Sequence, residues 1–284
     1  MLPYITNSPE LSAFRQYWFV TITPYGTDIE PDVPAAPQVI ETFKKLFQSL
    51  DYLHQRAPEL HAPALNSICW RYDPVFITGR YSVQFHIETF RHMARELAGY
   101  TEKCVISFID IYGKTKHNFP EAKQVTAGEQ AVLAGAFAEA GKQNGMSIQT
   151  CAEALDLGSY GVRRSACISR DLFRAITGSG DVKIPSEGKP RPECGCIPSR
   201  DIGEYNTCLH GCRYCYANYD RYTVMKNAAR HADNSPLLTG WPGEHDEIRN
   251  AVQSSWLLPD REEKQRGGGQ LYPDLWSIYA DTGK

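Results

Sequence analysis

Three cysteines in the segment NTCLHGCRYCYANYD, residues 206–220, are the residues of this sequence best suited to chemistry. Cys208, Cys212 and Cys215 follow a C-x3-C-x2-C spacing, and the aromatic Tyr214 precedes the last of them. Thiolates are soft ligands that select iron–sulfur clusters, zinc or copper(I). In a tight loop this spacing can direct three sulfurs at three corners of one cubane, which leaves the fourth iron open. An iron–sulfur cluster with one open iron is therefore one interpretation of these cysteines.

Structural zinc is the alternative for the same three cysteines. Three cysteines and one histidine form a known type of zinc site, and His210 or His231 could be the fourth ligand. A zinc ribbon, by contrast, uses two C-x2-C pairs, and this segment has one. Spacing alone leaves zinc and iron–sulfur open.

The other six cysteines fall into two groups. Cys69 and Cys104 lie inside apolar, strand-like runs, so we expect them to be small core residues. The remaining four precede the C-x3-C-x2-C motif and could complete a second site, either an auxiliary iron–sulfur cluster or structural zinc: Cys151, Cys167, Cys194 and Cys196. Reduced, partly buried thiols are the alternative for these four.

Alternating strand and helix patterns must position these cysteines. Aromatic and β-branched runs predict buried strands at 17–23, 67–72, 104–110 and 145–151. Apolar residues at helical spacing lie between these runs, and Thr126 and Glu129 fit a capping box. Repeated β–α units build a parallel sheet, open or closed into a barrel. Two later helices are predicted, one capped by Ser169 and one over residues 215–232.

The predicted fold class is therefore α/β, a partial or permuted (β/α) barrel with an irregular cysteine-rich C-terminal region. Residues 1–150 form the barrel-like part and residues 151–240 the cysteine-rich region. Residues 241–284 form a tail that mixes many charges with apolar pieces such as LYPDLWSIYA, and the pattern does not decide its order. We find no internal repeats.

Three charged residues close to the ends of predicted strands are candidates for substrate contact. Arg71 and Asp73 lie two apart on one strand and so share a face at its carboxyl end, where β/α barrels keep their sites. Asp110 closes the next strand in the same way. A salt bridge between Arg71 and Asp73, or to a neighbouring strand, is the structural alternative.

The C-x3-C-x2-C motif with an aromatic residue before its third cysteine resembles the radical S-adenosylmethionine (SAM) enzymes. Longer stretches resemble an uncharacterised family, a domain of unknown function, whose members carry such a motif near the C-terminus: ITPYGTDIEP, WRYDPVFIT, CGCIPSRDIGEYNTCLHGCRYCYAN and HADNSPLL. The resemblance covers roughly residues 15–240. The sequence has no Gly-Gly-Glu segment of the kind that contacts the SAM amino group in that superfamily.

This resemblance implies a [4Fe-4S] cluster on Cys208, Cys212 and Cys215, with SAM at the open iron. From their positions at strand ends, Arg71, Asp73 and Asp110 are expected to line the cavity for substrate or SAM. The resemblance also implies an electron donor such as a flavodoxin or ferredoxin, a small-molecule or other unidentified substrate, and a barrel that is N-terminally incomplete. The alternatives are an electron-transfer or structural zinc protein and a repair enzyme similar to DNA photoproduct lyases.

Composition sets outer limits on these functions. The chain has 284 residues and a formal net charge of -3, which argues against a nucleic-acid partner unless a local basic patch provides one. No apolar run reaches the roughly 18 residues of a membrane span, and the first residues lack the pattern of a signal peptide. We therefore expect a cytoplasmic protein without a membrane partner, whose nine cysteines are reduced.

Overall fold

The computed structural model describes residues 8–178, 183–184, 193–247 and 256, and its centre is one sheet of five parallel strands. The strands follow chain order across the sheet: β1 (Trp18–Thr21), β2 (Ile68–Val75), β3 (Lys103–Phe108), β4 (Ser147–Cys151) and β5 (Arg163–Ser165). β5 is an addition to the four predicted strands. Of the tail predicted at 241–284, only residues 241–247 and 256 lie among the described residues.

Eight helices accompany the sheet in the described residues. They are α1 (Pro9–Ser12), α2 (Ala36–Arg56), α3 (Ala64–Ser67), α4 (Val83–Glu96), α5 (Gly113–Asn118), α6 (Ala127–Gln143), α7 (Arg170–Thr177) and α8 (Arg221–Ala228). The capping box at Thr126 and Glu129 is confirmed at the start of α6. Ser169 caps α7, since its hydroxyl accepts from the Leu172 amide at 3.0 Å.

The helix predicted over residues 215–232 is too long at both ends. Only Arg221–Ala228 is helical, and the Asp220 side chain caps it by accepting from the Thr223 amide at 2.8 Å. The preceding residues are held in a loop, because the Ala217 carbonyl accepts from the Asn206 amide at 3.0 Å and the Tyr219 amide donates to the Asn206 side chain. These long-range bonds compete with the local bonds of a helix.

The main helices pack on one face of the sheet. Right-handed crossovers between strands that neighbour one another in chain order put every connecting helix on the same side. Phe90 of α4 lies between Trp70 of β2 and Phe137 of α6, with ring centroids 4.7 and 4.1 Å apart. All three side chains are buried, and they form the centre of the core.

The α/β parallel architecture is confirmed, and closure into a barrel is not, because the sheet is open. In the described residues β1 and β5 are its two edges, whereas a closed barrel of this type normally uses about eight strands. The face opposite the helices is called the inner face. Alternation along β2 places Cys69, Arg71 and Asp73 on it, since Trp70 and Tyr72 point into the helix-covered core.

No helix of the described part is long and apolar enough to span a membrane. The longest, α2, carries its buried side chains on one stripe, formed by Ile40, Phe43, Leu46, Leu50 and Leu53. Its remaining surface is polar, which is the pattern of a helix lying on the side of a sheet.

Candidate functional site

The three cysteines of the C-x3-C-x2-C motif lie in a loop, residues 204–219, that we call the cysteine loop. It docks on the segment that follows β1. The Arg213 amide donates to the Ile29 carbonyl at 3.0 Å, and the Asp32 amide donates to the His210 carbonyl at 3.2 Å. The His210 ring also donates through Nδ1 to the Asp32 carbonyl at 3.0 Å. The loop therefore sits over the carboxyl end of the sheet, where parallel α/β proteins bind ligands.

Arg213 ties the same loop to the region after β3. Its Nε donates to the Asn118 carbonyl at 3.1 Å, and its Nη2 donates to Oε2 of Glu121 at 2.9 Å. The guanidinium lies 4.9 Å from the centroid of the Phe119 ring. Because Arg213 stands between two of the cysteines, these contacts fix the position of the motif itself.

Tyr214 anchors the cysteine loop to the protein through the buried carboxyl group of Glu30. Its hydroxyl donates to Glu30, which also accepts from the Thr23 hydroxyl at 2.8 and 2.7 Å. The Glu30 residue is only 3% exposed, and burial raises the pKa of its carboxyl group against the opposing effect of these two donors. Burial and the neighbouring Glu30 also raise the pKa of the Tyr214 hydroxyl.

The three thiols lie close together at the surface. Cys208 is exposed, and Cys212 and Cys215 are half-buried. Burial raises the pKa of Cys212 to about 12, with Glu30 and the other two thiols adding to the shift. The cysteine backbone is held as well, since the Cys215 amide donates to the Cys212 carbonyl at 3.1 Å.

Neither histidine of the zinc alternative is free of other bonds. His210 uses Nδ1 for the Asp32 carbonyl. His231 donates through Nδ1 to the Leu238 carbonyl at 2.9 Å, and its Nε2 lies 3.4 Å from Asp233. Across the described ranges, no group of three or more His, Cys, Asp or Glu side chains is placed to hold a metal ion. A metal at the cysteine loop would therefore require its thiols to turn toward a common point.

The second group of cysteines converges although its members are up to 45 residues apart in the chain. Cys151 and Cys167 lie near enough to shift each other's thiol pKa, and the neighbouring Cys194 raises the pKa of the Cys196 thiol. Cys196 is near enough to both members of the first pair to affect their ionisation. The four predicted partners are thus brought into one neighbourhood, with Cys196 near the other three.

The chain segments that carry these cysteines are held side by side. The Ile168 amide donates to the Cys196 sulfur at 3.4 Å, and the Ile197 amide donates to the Ile168 carbonyl at 2.9 Å. The hydrogen bond from Cys167 lowers the pKa of the Cys151 thiol against the effect of burial, and the Arg71 cation lowers it further. The same hydrogen bond raises the pKa of Cys167.

Arg71 and Asp73 form an ion pair on the inner face, as the structural alternative predicted. The pair lies beside Cys151 and Cys167, so it also belongs to the surroundings of the second thiol group. The Arg71 Nε is buried and makes no hydrogen bond within the described structure. Asp110 lies beyond the end of β3, is exposed, and accepts from the Tyr112 hydroxyl at 3.0 Å.

Two carboxyl groups of the site escaped the sequence reasoning. Glu30 lies in the loop after β1, and Glu153 follows the end of β4. Glu153 accepts from the Ser107 hydroxyl at 2.9 Å and from the Phe108 amide at 2.8 Å, and burial raises its pKa. The available signals were that Glu30 lies in ITPYGTDIEP, one of the stretches that resemble the uncharacterised family, and that Glu153 lies two residues after β4.

The cysteines expected in the core are confirmed there. Cys69 and Cys104 are both fully buried, and burial raises the pKa of each thiol, that of Cys69 to about 11. The nine cysteines are all free thiols in this structure.

Residues 1–217 match the model of a family described as a domain of unknown function (DUF1848). No curated protein and no solved structure matches the chain. The matched range includes all five strands and all three cysteines of the cysteine loop.

Proposed function

Since the chain belongs to the DUF1848 family, whose function is unknown, we propose its function from the site: an iron–sulfur enzyme of radical SAM type. Cys208, Cys212 and Cys215 are the proposed ligands of a [4Fe-4S] cluster. The observation that carries the proposal is the docking of the cysteine loop, which presents three neighbouring thiols over the carboxyl end of a parallel sheet.

The donor set fits such a cluster in its chemistry. Three thiols without a fourth protein ligand suit a cubane that keeps one iron open for a small molecule. The side chains between the cysteines make the docking contacts, so the thiols can turn while the loop backbone stays fixed. When bound, the cluster would supply one-electron chemistry and an open coordination position for the amino and carboxylate groups of SAM.

In this proposal the other residues of the site bind the substrate or SAM and orient the cysteine loop. Arg71 is a cation on the inner face whose side chain is 31% exposed, which suits it to a carboxylate or phosphate of the substrate or of SAM. Asp73 holds that guanidinium, and Asp110 stands at the rim after β3. The buried Glu30 fixes the loop through Tyr214. A flavodoxin- or ferredoxin-like protein is the proposed electron donor.

The test is electron paramagnetic resonance on the full chain, reconstituted anaerobically with iron and sulfide and reduced with dithionite. We expect a reduced-cluster signal that changes when SAM is added. A signal that ignores SAM would favour an electron-transfer protein. Stoichiometric zinc without an iron signal would mean that the three cysteines are structural.

Two cysteine variants test whether the reduced-cluster signal comes from the cysteine loop. Cys212→Ala should abolish it, because two thiols cannot replace the lost ligand. Cys194→Ala removes a thiol of the second group and should leave the signal in place. Equal loss in both variants would contradict the assignment to the cysteine loop.

A further inference from the structure

The surface around the cysteine loop carries four strongly exposed tyrosine side chains. Their exposed fractions are 60% for Tyr205, 70% for Tyr216 and 78% for both Tyr219 and Tyr222, and we call these four residues the tyrosine surface. We propose that the tyrosine surface binds single-stranded nucleic acid, with bases stacked on the rings and phosphates held by neighbouring lysines. The proposal does not depend on a cluster at the cysteine loop.

Direct contacts join three of the four tyrosines. The ring centroids of Tyr205 and Tyr216 lie 6.3 Å apart. Lys114 of α5 lies between Tyr216 and Tyr219, since its Nζ donates to the Tyr216 carbonyl at 3.5 Å and lies 5.1 Å from the centroid of the Tyr219 ring. Tyr222 follows Tyr219 by three residues, in the first turn of α8. Three rings thus form one surface, next to which Tyr222 stands.

Hydrogen bonds to Asn206 hold the tyrosines in place without covering their rings. The Asn206 amide donates to the Ala217 carbonyl at 3.0 Å, and the Tyr219 amide donates to the Asn206 side chain. The Asn227 side chain of α8 donates to the Asn206 carbonyl at 3.1 Å. Because the loop and the helix are tied to the same residue, ordering the rings for a ligand costs little conformational entropy.

The region around these rings is basic although the chain is acidic. Residues 113–123 and 204–230 contain seven Lys and Arg against three Asp and Glu, in a chain whose formal net charge is -3. Arg213 and Arg221 are ion-paired with carboxylates, so the lysines supply most of the remaining positive charge. This is a local basic patch of the kind that a nucleic-acid partner requires in an acidic chain.

Two lysines are placed to meet phosphates beside the rings. One is Lys114, which contacts two of the tyrosines. The other is Lys226, which is exposed and lies four residues after Tyr222 on α8, so the two side chains share a face of that helix. The acidic residues of the same segment have other partners, because Asp220 caps α8 and Glu204 accepts a side-chain hydrogen bond at 2.8 Å.

This combination of tyrosine and lysine favours nucleic acid over a protein partner. Protein interfaces are enriched in tyrosine but depleted of lysine. Here a lysine lies between two of the rings. Proteins that bind single strands combine positive charge along the backbone with aromatic side chains on which the bases stack. Since every base can stack, we expect binding with little sequence preference.

Fluorescence anisotropy of labelled oligonucleotides with the full chain tests the proposal. The probes are single-stranded DNA and RNA of one mixed sequence, about 12 nucleotides long, at about 50 and 200 mM salt. We expect binding that weakens at the higher salt concentration. Tyr216→Ala and Tyr219→Ala should each weaken it by about 5- to 150-fold, because each removes a stacking partner of one base. Tyr216→Phe keeps the ring and should bind like the wild type.

Three comparisons separate stacking from charge. Tyr52→Ala removes an exposed tyrosine near the end of α2 and should leave binding unchanged. Lys226→Ala should weaken binding of every sequence alike and reduce the slope of log K against log salt by about 0.7. A strand of the same length without bases keeps the phosphates, and it should bind at least about fivefold more weakly than the intact strand.

Two results would overturn the proposal. One is the absence of binding of both oligonucleotides at the lower salt concentration, which would leave the tyrosine surface to a protein partner. The other is equal binding of the intact and base-free strands together with wild-type affinity in both alanine variants, which would mean that charge alone attracts the strand. Neither result bears on the SAM-dependent signal of the cysteine loop, so the two proposals fail separately.

Discussion

Tyr214→Phe removes one oxygen atom from the contact that holds the cysteine loop. The Tyr214 hydroxyl donates to Glu30, which lies at 3% exposure beneath the loop. The variant leaves this buried carboxyl group with Thr23 as its remaining side-chain donor. Losing a hydrogen bond to a buried polar group costs about 1–3 kcal/mol. The aromatic ring stays packed near Tyr25 and Phe76, so no large cavity adds to this cost.

Urea unfolding of the metal-free protein should measure this loss of free energy directly. Tyr216→Phe is the matched control, because Tyr216 lies in the same loop with 70% of its surface exposed. We expect the control to change the free energy of unfolding by no more than about 0.5 kcal/mol. Amide hydrogen exchange across the cysteine loop should also quicken in Tyr214→Phe, by about 5- to 150-fold for the same 1–3 kcal/mol.

Equal stabilities of Tyr214→Phe and Tyr216→Phe would refute this reasoning. That result would mean that the contact between Tyr214 and Glu30 does not hold the loop. Iron content after reconstitution gives a second comparison. It should fall in Tyr214→Phe and stay unchanged in Tyr216→Phe, because only the former loosens the backbone that carries the three proposed ligands.

Three further predictions concern the supporting fold. Phe90→Ala should lower the free energy of unfolding by about 3–5 kcal/mol, since Phe90 is fully buried and stacked against Phe137 at 4.1 Å. Thr126→Ala should cost about 1 kcal/mol by removing the cap of α6. Burial lowers the pKa of His86 from 6.5 to about 4, so the unfolded chain binds a proton in this range and the native one does not. Stability should therefore fall by about 3 kcal/mol as the pH decreases from about 6.5 to about 4, and His86→Gln should weaken that dependence.

Each of these predictions has a control in the same chain. Phe14→Ala and Thr42→Ala replace exposed residues, and each should change the unfolding free energy by less than about 0.5 kcal/mol. His92→Gln alters an exposed histidine and should keep the wild-type dependence of stability on pH. A prediction would be contradicted if its control variant changed the unfolding free energy, or the dependence of stability on pH, as much as the test variant does.

Much of the fold follows from local patterns in the sequence. The first four strands, the helices between them and the capping box at Thr126 come from side-chain periodicity and capping chemistry. β5 lacks that signal, because Arg163–Ser165 is short and polar and pairs as a strand through the edge of β4. The helix predicted for residues 215–220 is absent for a related reason, since hydrogen bonds to Asn206 hold these residues in a loop.

The sequence by itself determined which residues can do chemistry: the spacing of Cys208, Cys212 and Cys215 is local and can be read along the chain. The tertiary structure decided what surrounds them. The contact of Tyr214 with Glu30 joins residues far apart in sequence, and neighbouring strands bring Cys151 close to the segment that carries Cys167. Such contacts depend on how strands pair and loops dock, which periodicity does not encode. Hence the motif was visible in the sequence, whereas its buried anchor and the convergence of the second group of cysteines required the fold.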